Sequence, residues 1–370
     1  MRCPTRFSFI ESPDDTLQAV ADFARAASGR ERIVEVLQGD CEEIDLCAAA
    51  ALNALALSAK FEHRMRFRGD YPKQAEPKEI VLATGLPKCL GLPLPEMKAF
   101  RTFPLVRGKK GHISATEASA KEAETQRLVE YLDSCLQTYG FALSAAGKDY
   151  FGKLVGEVIT NAEEHSGRTF WWIAAYLRQP PGRSYGDCHL TVFNFGRSLA
   201  ESLQQLPRRA RLRMEIDRLI RVQRRARFFM PSRWTEENLW TLYALQEGVS
   251  RRNDETDLLG HYGLGTVKMI ETFQHLGQTT LPGTQPMMCV VSGRTHVLFD
   301  NRYRMQPKKT ARGEERRVIA FNPQNDLRRP PDPLSVRNLR RPFPGTLISL
   351  RFYLDPKYLV TLGGTSAPQH

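Results

Sequence analysis

The segment 149–165 (DYFGKLVGEVITNAEEH) limits the possible folds more than any other stretch of the chain. Phe151, Leu154, Val155, Val158, Ile159 and Ala162 recur at spacings of three and four, which predicts a helix with one buried stripe. An aromatic strand-like run follows at 168–176 (RTFWWIAAY), and 189–194, 287–292 and 346–352 also read as strands. A further helix is expected over 117–139, with Thr116 as its N-cap. Helices followed by a run of strands predict an α/β sandwich with helices on one face of the sheet.

The first hundred residues read differently. Strand-like 32–37 (RIVEVL) leads to an Ala/Leu-rich helix over 45–60, a short strand at 64–67 and a helix over 77–90 that Gly91 and Pro93 break. Strand and helix alternate, so a small α/β layer with a mixed sheet is expected. Polar, aperiodic residues make 101–120 the predicted linker. The expected division is therefore 1–100 as a small domain, 101–120 as linker, 121–355 as a second domain and 356–370 as a tail.

Composition removes several classes. At 370 residues and 41% apolar side chains, the chain can build sizeable cores and is not a disordered tract. No stretch reaches the ~20 apolar residues that a membrane span needs. Arg2 is followed by no apolar run, so no export signal is visible. Seven scattered cysteines without CxxC spacing argue against structural zinc and a disulfide framework, and a reduced, cytoplasmic setting is expected. The formal charge of +12 suggests an acidic partner without naming it.

Polar residues at the border of the helical stripe carry the chemistry. Glu157 and Asn161 lie four apart, and His165 continues the row. An Asn offers a neutral oxygen to Mg²⁺, and a Glu can orient water for attack on a phosphate; the ordinary reading is a solvated helix edge. His165 precedes Gly167 and reads equally as a packing or capping histidine. Downstream, Gly260, Gly263 and Gly265 precede an apolar helical pattern (Val267, Ile270, Phe273). Glycines let the backbone approach a ligand, and a helix N-terminus favours phosphate. The P-loop Lys-Ser/Thr is missing, and no strand precedes the turn, which disfavours a dinucleotide-binding fold. Asn194-Phe195-Gly196 closes one strand, and Pro344-Gly345-Thr346 opens the last.

These four pieces, in this order over roughly 115–355, resemble the GHKL superfamily of ATP-binding domains, which includes gyrase and the histidine kinases. The resemblance implies ATP and Mg²⁺ as ligands. Asn161 would bind the metal and Glu157 would act as general base. Asn194 would stand at the adenine amino group with Gly196 after it, Gly260, Gly263 and Gly265 would lie along the phosphates, and Thr346 would sit near the base. The departure is Asn194, an uncharged amide where the family has Asp; its oxygen still accepts a hydrogen bond. More loosely, 30–95 resembles the STAS-like domains of bacterial regulatory proteins, which bind partners. There a Ser or Thr follows the Asp at the helix start, whereas Asp45 is followed by Leu46, Cys47 and Ala48.

Between residues 208 and 233, ten arginines against Glu215 and Asp217 leave a net +8. In the GHKL resemblance this stretch is the lid over the nucleotide. A solvated helix face comes first among its readings, a triphosphate clamp second and nucleic-acid binding third. The expected function is ATP-Mg²⁺ binding, with slow hydrolysis or protein-kinase-like transfer and a nucleotide-controlled lid regulating a protein partner. Histidine autokinase activity is disfavoured, since His112 lies in the linker and no phosphoacceptor helix is recognisable. Serine/threonine kinase activity and self-association stay open. The alternative is a non-enzymatic protein- or nucleic-acid-binding module with a degenerate pocket.

Overall fold

The computed structural model describes residues 1–29, 32–84, 100–109, 120–165, 170–180, 182–227, 234–249, 264–276, 281, 284–309, 313 and 315–357. Its centre is a five-stranded antiparallel sheet of β5 (Phe100–Lys109), β6 (Phe170–Arg178), β7 (Gly186–Phe195), β8 (Met287–Phe299) and β11 (Val336–Leu354), in the order β5-β6-β7-β11-β8. A hairpin of β9 (Gln306–Lys309) and β10 (Glu315–Val318) lies outside it. Mixed α/β architecture is thus the observed class.

Alternate residues of the strands enter two different cores. Trp171, Ile173 and Ala175 of β6 pack on one side, whereas Trp172, Ala174 and Tyr176 pack on the other. A strand covered on both faces has no polar side to show, which is why FWWIAAYL is an unbroken apolar run. The first face carries α4 (Ala120–Gln137), α5 (Ala145–His165) and α9 (Leu264–Leu276). As predicted, Leu154, Val155, Val158, Ile159 and Ala162 of α5 are buried there. The expectation of helices on one face only is corrected by the other side, which is covered by α2 (Leu46–His63).

Helix α2 forms because Asp45 caps it: the carboxylate accepts the Ala48 N–H at 2.6 Å and the Ser8 hydroxyl at 2.8 Å. A helix with small apolar residues nearly all round must be enclosed. Between the sheet and α1 (Pro13–Ala27), residues Leu46 to Ala54 are all buried. Beyond these helices lie parallel pairs of β1 (Arg6–Phe7) with β3 (Glu43–Ile44), and β2 (Ile33–Val36) with β4 (Arg66–Gly69), followed by α3 (Ala75–Ala83). The mixed sheet expected here is corrected, since the described pairs are parallel.

The linker expected at 101–120 is corrected as well. Its first part is β5, an edge strand paired antiparallel with β6 from Phe100↔Arg178 to Lys109↔Phe170. Its polar residues Arg101, Thr102, Arg107 and Lys109 are exposed, as an edge strand allows, and that polar character imitates a loop. Residues 1–84 are consequently the outer layers of one three-layer packing, because a single apolar core runs from Phe7 and Phe23 to Phe193 and Leu347. Among the described residues no helix is long and apolar enough to cross a membrane.

Candidate functional site

Four residues singled out from the sequence line one cleft. Glu157 of α5, Asn194 of β7, Gly265 of α9 and Thr346 of β11 face one cleft with a cavity volume of about 70 Å³. Val158, Val192, Leu203, Met269 and Ile348 supply apolar wall. A few polar groups set in an apolar wall are the kind of lining that small-molecule sites carry. Asn161 follows Glu157 by one helical turn, but its side chain, like that of His165, lies outside the described residues. Gly260 and Gly263 also lie outside them.

Sheet register explains how distant residues meet. Asn194 is paired with Thr346, and Thr346 with Ser292 on its other side, so three polar side chains form a row across three strands. The Asn194 Oδ1 accepts the Thr346 N–H at 3.4 Å. The Thr346 and Ser292 hydroxyls are 2.8 Å apart, and Ser292 Oγ also accepts the Leu199 N–H at 2.8 Å. Asn194 and Ser292 are buried at 2% and 0% exposure, so these bonds satisfy groups that water does not reach. Gly196 N–H donates to the Pro344 carbonyl at 2.8 Å; Pro344-Gly345-Thr346, expected to open the last strand, instead lies within β11, at a break in its register with β8.

Two glycines permit this geometry. Gly345 has φ +142°, and a Cβ there would strike the Asn194 backbone oxygen. At Gly265 a Cβ would lie 2.7 Å from Glu157 Cβ and 2.9 Å from its Oε2. The N-terminal turn of α9 therefore comes directly against the exposed Glu157 because its second residue lacks a side chain. A helix N-terminus beside a carboxylate can jointly receive a phosphate, its metal and a water.

Sequence reasoning missed Ser292. It ends the apolar run MMCVV, and nothing in the local pattern distinguishes it from an ordinary strand end. It also missed the wall supplied by α6 (Leu199–Gln204) and α8 (Glu236–Ala244), helices on either side of the arginine-rich stretch 208–233. No arginine is among the described residues lining the cleft, so the phosphate-clamp reading gains no contact there. Among the described residues no group of three His, Cys, Asp or Glu side chains could hold a metal ion.

A different electrostatic cluster lies at the far end of β7. Burial alone would raise the Asp187 carboxyl, but His189, Arg351 and Arg178 together hold it well below the usual carboxylate range. It binds strands β6, β7 and β11 together and lies outside the cleft.

The chain is thus a mixed α/β protein around a five-stranded antiparallel sheet, with a polar-floored cleft between the sheet and helices α5, α6, α8 and α9. Comparison with protein-family models, with curated proteins and with solved structures gave no match.

Proposed function

We propose that the cleft binds a nucleoside triphosphate, ATP with Mg²⁺, in the manner of the GHKL domains. One observation carries the reading: Glu157, Asn194, Gly265 and Thr346, chosen from separate sequence motifs, line the same space. The donor set suits the ligand, with polar groups of Asn194 and Thr346 at one part and the α9 N-terminus beside Glu157 at another. Asn161 would hold the metal, which supplies charge neutralisation to the phosphates. Glu157 would orient water, giving slow hydrolysis, or accept the proton of a protein hydroxyl during transfer. The α2-side layer, with its STAS-like order of elements, would meet the regulated protein partner.

Titration calorimetry with ATP and Mg²⁺ tests the reading. Binding at or below millimolar concentration, weakened about tenfold by Asn161→Ala, is expected. The absence of heat at millimolar nucleotide would leave the alternative, a protein- or nucleic-acid-binding module with a degenerate pocket.

A further inference from the structure

Helix α7 (Arg211–Arg227) uses its two faces for different purposes. Leu212, Ile216 and Ile220 are buried in a cluster with Trp234, Leu239 and Trp240, which fixes the helix to the body of the protein. Some of its arginines are consumed internally: Arg213 pairs with Asp217 at 3.2 Å and lies over the Trp240 ring, and Arg224 pairs with Glu236.

On the opposite face Arg211, Arg218 and Arg225 recur every seven residues, with Arg221 beside them, all exposed. At 1.5 Å rise per residue they mark out a straight row about 21 Å long. Gln223 extends the surface: its fully buried amide donates to the Leu327 carbonyl at 2.6 Å and the Arg329 carbonyl at 3.1 Å. Those bonds hold a neighbouring segment whose Arg328 and Arg329 are also exposed. No ion pair engages any of these six arginines among the described residues, and Glu215 is the acid at the margin of the row.

We propose that this face binds the sugar-phosphate backbone of duplex DNA without reading its sequence. Guanidinium forks match phosphate oxygens, and a rigid row of them favours a rigid polyanion. Met214 and Val222 are the other exposed residues of the row, so no amide or hydroxyl there reads base edges or a ribose 2′-OH. Among the described residues the exposed aromatic rings of Phe61, Tyr71, Tyr150 and Phe170 belong to other parts of the chain, so the described arginine row carries no ring on which single-strand bases would stack. An interfacial membrane helix would need its apolar face free, and here that face is buried. The inference stands apart from the nucleotide reading and is tested without nucleotide.

Fluorescence anisotropy of the full chain with a labelled mixed-sequence duplex is the test. Contact with four to six phosphates predicts a log K against log salt slope of about −4 to −5. Arg218→Glu/Arg225→Glu should weaken binding at least tenfold and flatten that slope by about two. Arg2→Glu/Arg66→Glu, the same charge change at exposed positions on β4 and near the N-terminus, should leave binding within twofold. The proposal is overturned by no binding at 150 mM salt and 100 µM protein (about the weak limit of non-specific association), or by equal weakening in both double variants. Tighter binding to duplex RNA, anionic vesicles or polyglutamate than to DNA also overturns it.

Discussion

Gly345 and Glu157 make opposite kinds of demand on the cleft, one on backbone shape and one on charge. At Gly345 the positive φ and the nearness of the Asn194 carbonyl leave no room for a methyl group. Gly345→Ala should cost at least about 2 kcal/mol in urea unfolding; a change within experimental error would show that the register of β7 and β11 can slide to accept it. Glu157 is exposed and touches the cleft without anchoring any strand, so Glu157→Gln should preserve folding and nucleotide affinity within threefold. Phosphate release should fall about a hundredfold, and an equal loss of affinity would make Glu157 a binding residue. Asn194, Gly265 and Thr346 are legible in the sequence because each breaks a local rule, as a polar strand end, a glycine in a helix start or a glycine-led strand. Ser292 breaks none, and its role comes only from being paired with Thr346 across the sheet.

Helix α7 shows how one buried polar group organises a neighbouring element. Gln223 satisfies two main-chain carbonyls that have left regular structure. Removing the amide takes one of two side-chain donors from each carbonyl, since the Tyr243 hydroxyl also donates to the Leu327 carbonyl and the Asn322 amide to the Arg329 carbonyl. Gln223→Ala should therefore destabilise the protein by about 1–3 kcal/mol, and a loss below about 0.5 kcal/mol would mean that water replaces the amide. Most element positions are legible from periodicity: α2, α5, α9 and the strands β6 and β7 fall near where the pattern puts them, whereas β8 runs on to Phe299 and β11 begins at Val336, ten residues before the expected start. Strand β5 is the exception. An edge strand pairs on one side only, so its sequence retains the polar character of a loop, and its identity depends on β6 beside it. The same limitation hides the two-sided burial of the sheet. A continuous apolar run states that both faces are covered but does not say by which part of the chain.

In the assembled protein the outer layers and the sheet are joined by polar as well as apolar contacts. Cys47 Sγ lies 2.9 Å from the Thr191 hydroxyl, the Arg340 N–H donates to Asp14 at 2.7 Å, and His296 Nε2–H donates to the Phe9 carbonyl at 2.9 Å. Burial, with Arg337 nearby, pushes the His296 imidazole down to about 4. The unfolded chain, with an ordinary imidazole near 6.5, then binds the proton more readily than the folded one. Stability from this group is complete above pH 6.5 and is lost as pH falls towards 4, by about 3 kcal/mol. Asp45 acts with the opposite sign, since burial raises its carboxyl despite its hydrogen bonds, so the wild type should be compared with His296→Gln. The difference between their unfolding free energies should narrow from pH 7 to pH 4.5; a constant difference would contradict the assignment. The boundary near residue 100 is what composition suggests, and apolar packing crosses it, because Phe193 and Leu347 share one core with α2 as well as with Trp172 and Val291. The nucleotide account is tested most directly by a crystal structure grown with Mg²⁺ and a non-hydrolysable ATP analogue. It should place the purine against Asn194 and Thr346, and the phosphates at the α9 N-terminus with Mg²⁺ on Asn161. Density for the analogue elsewhere on the protein, with the cleft filled by side chains, would contradict it.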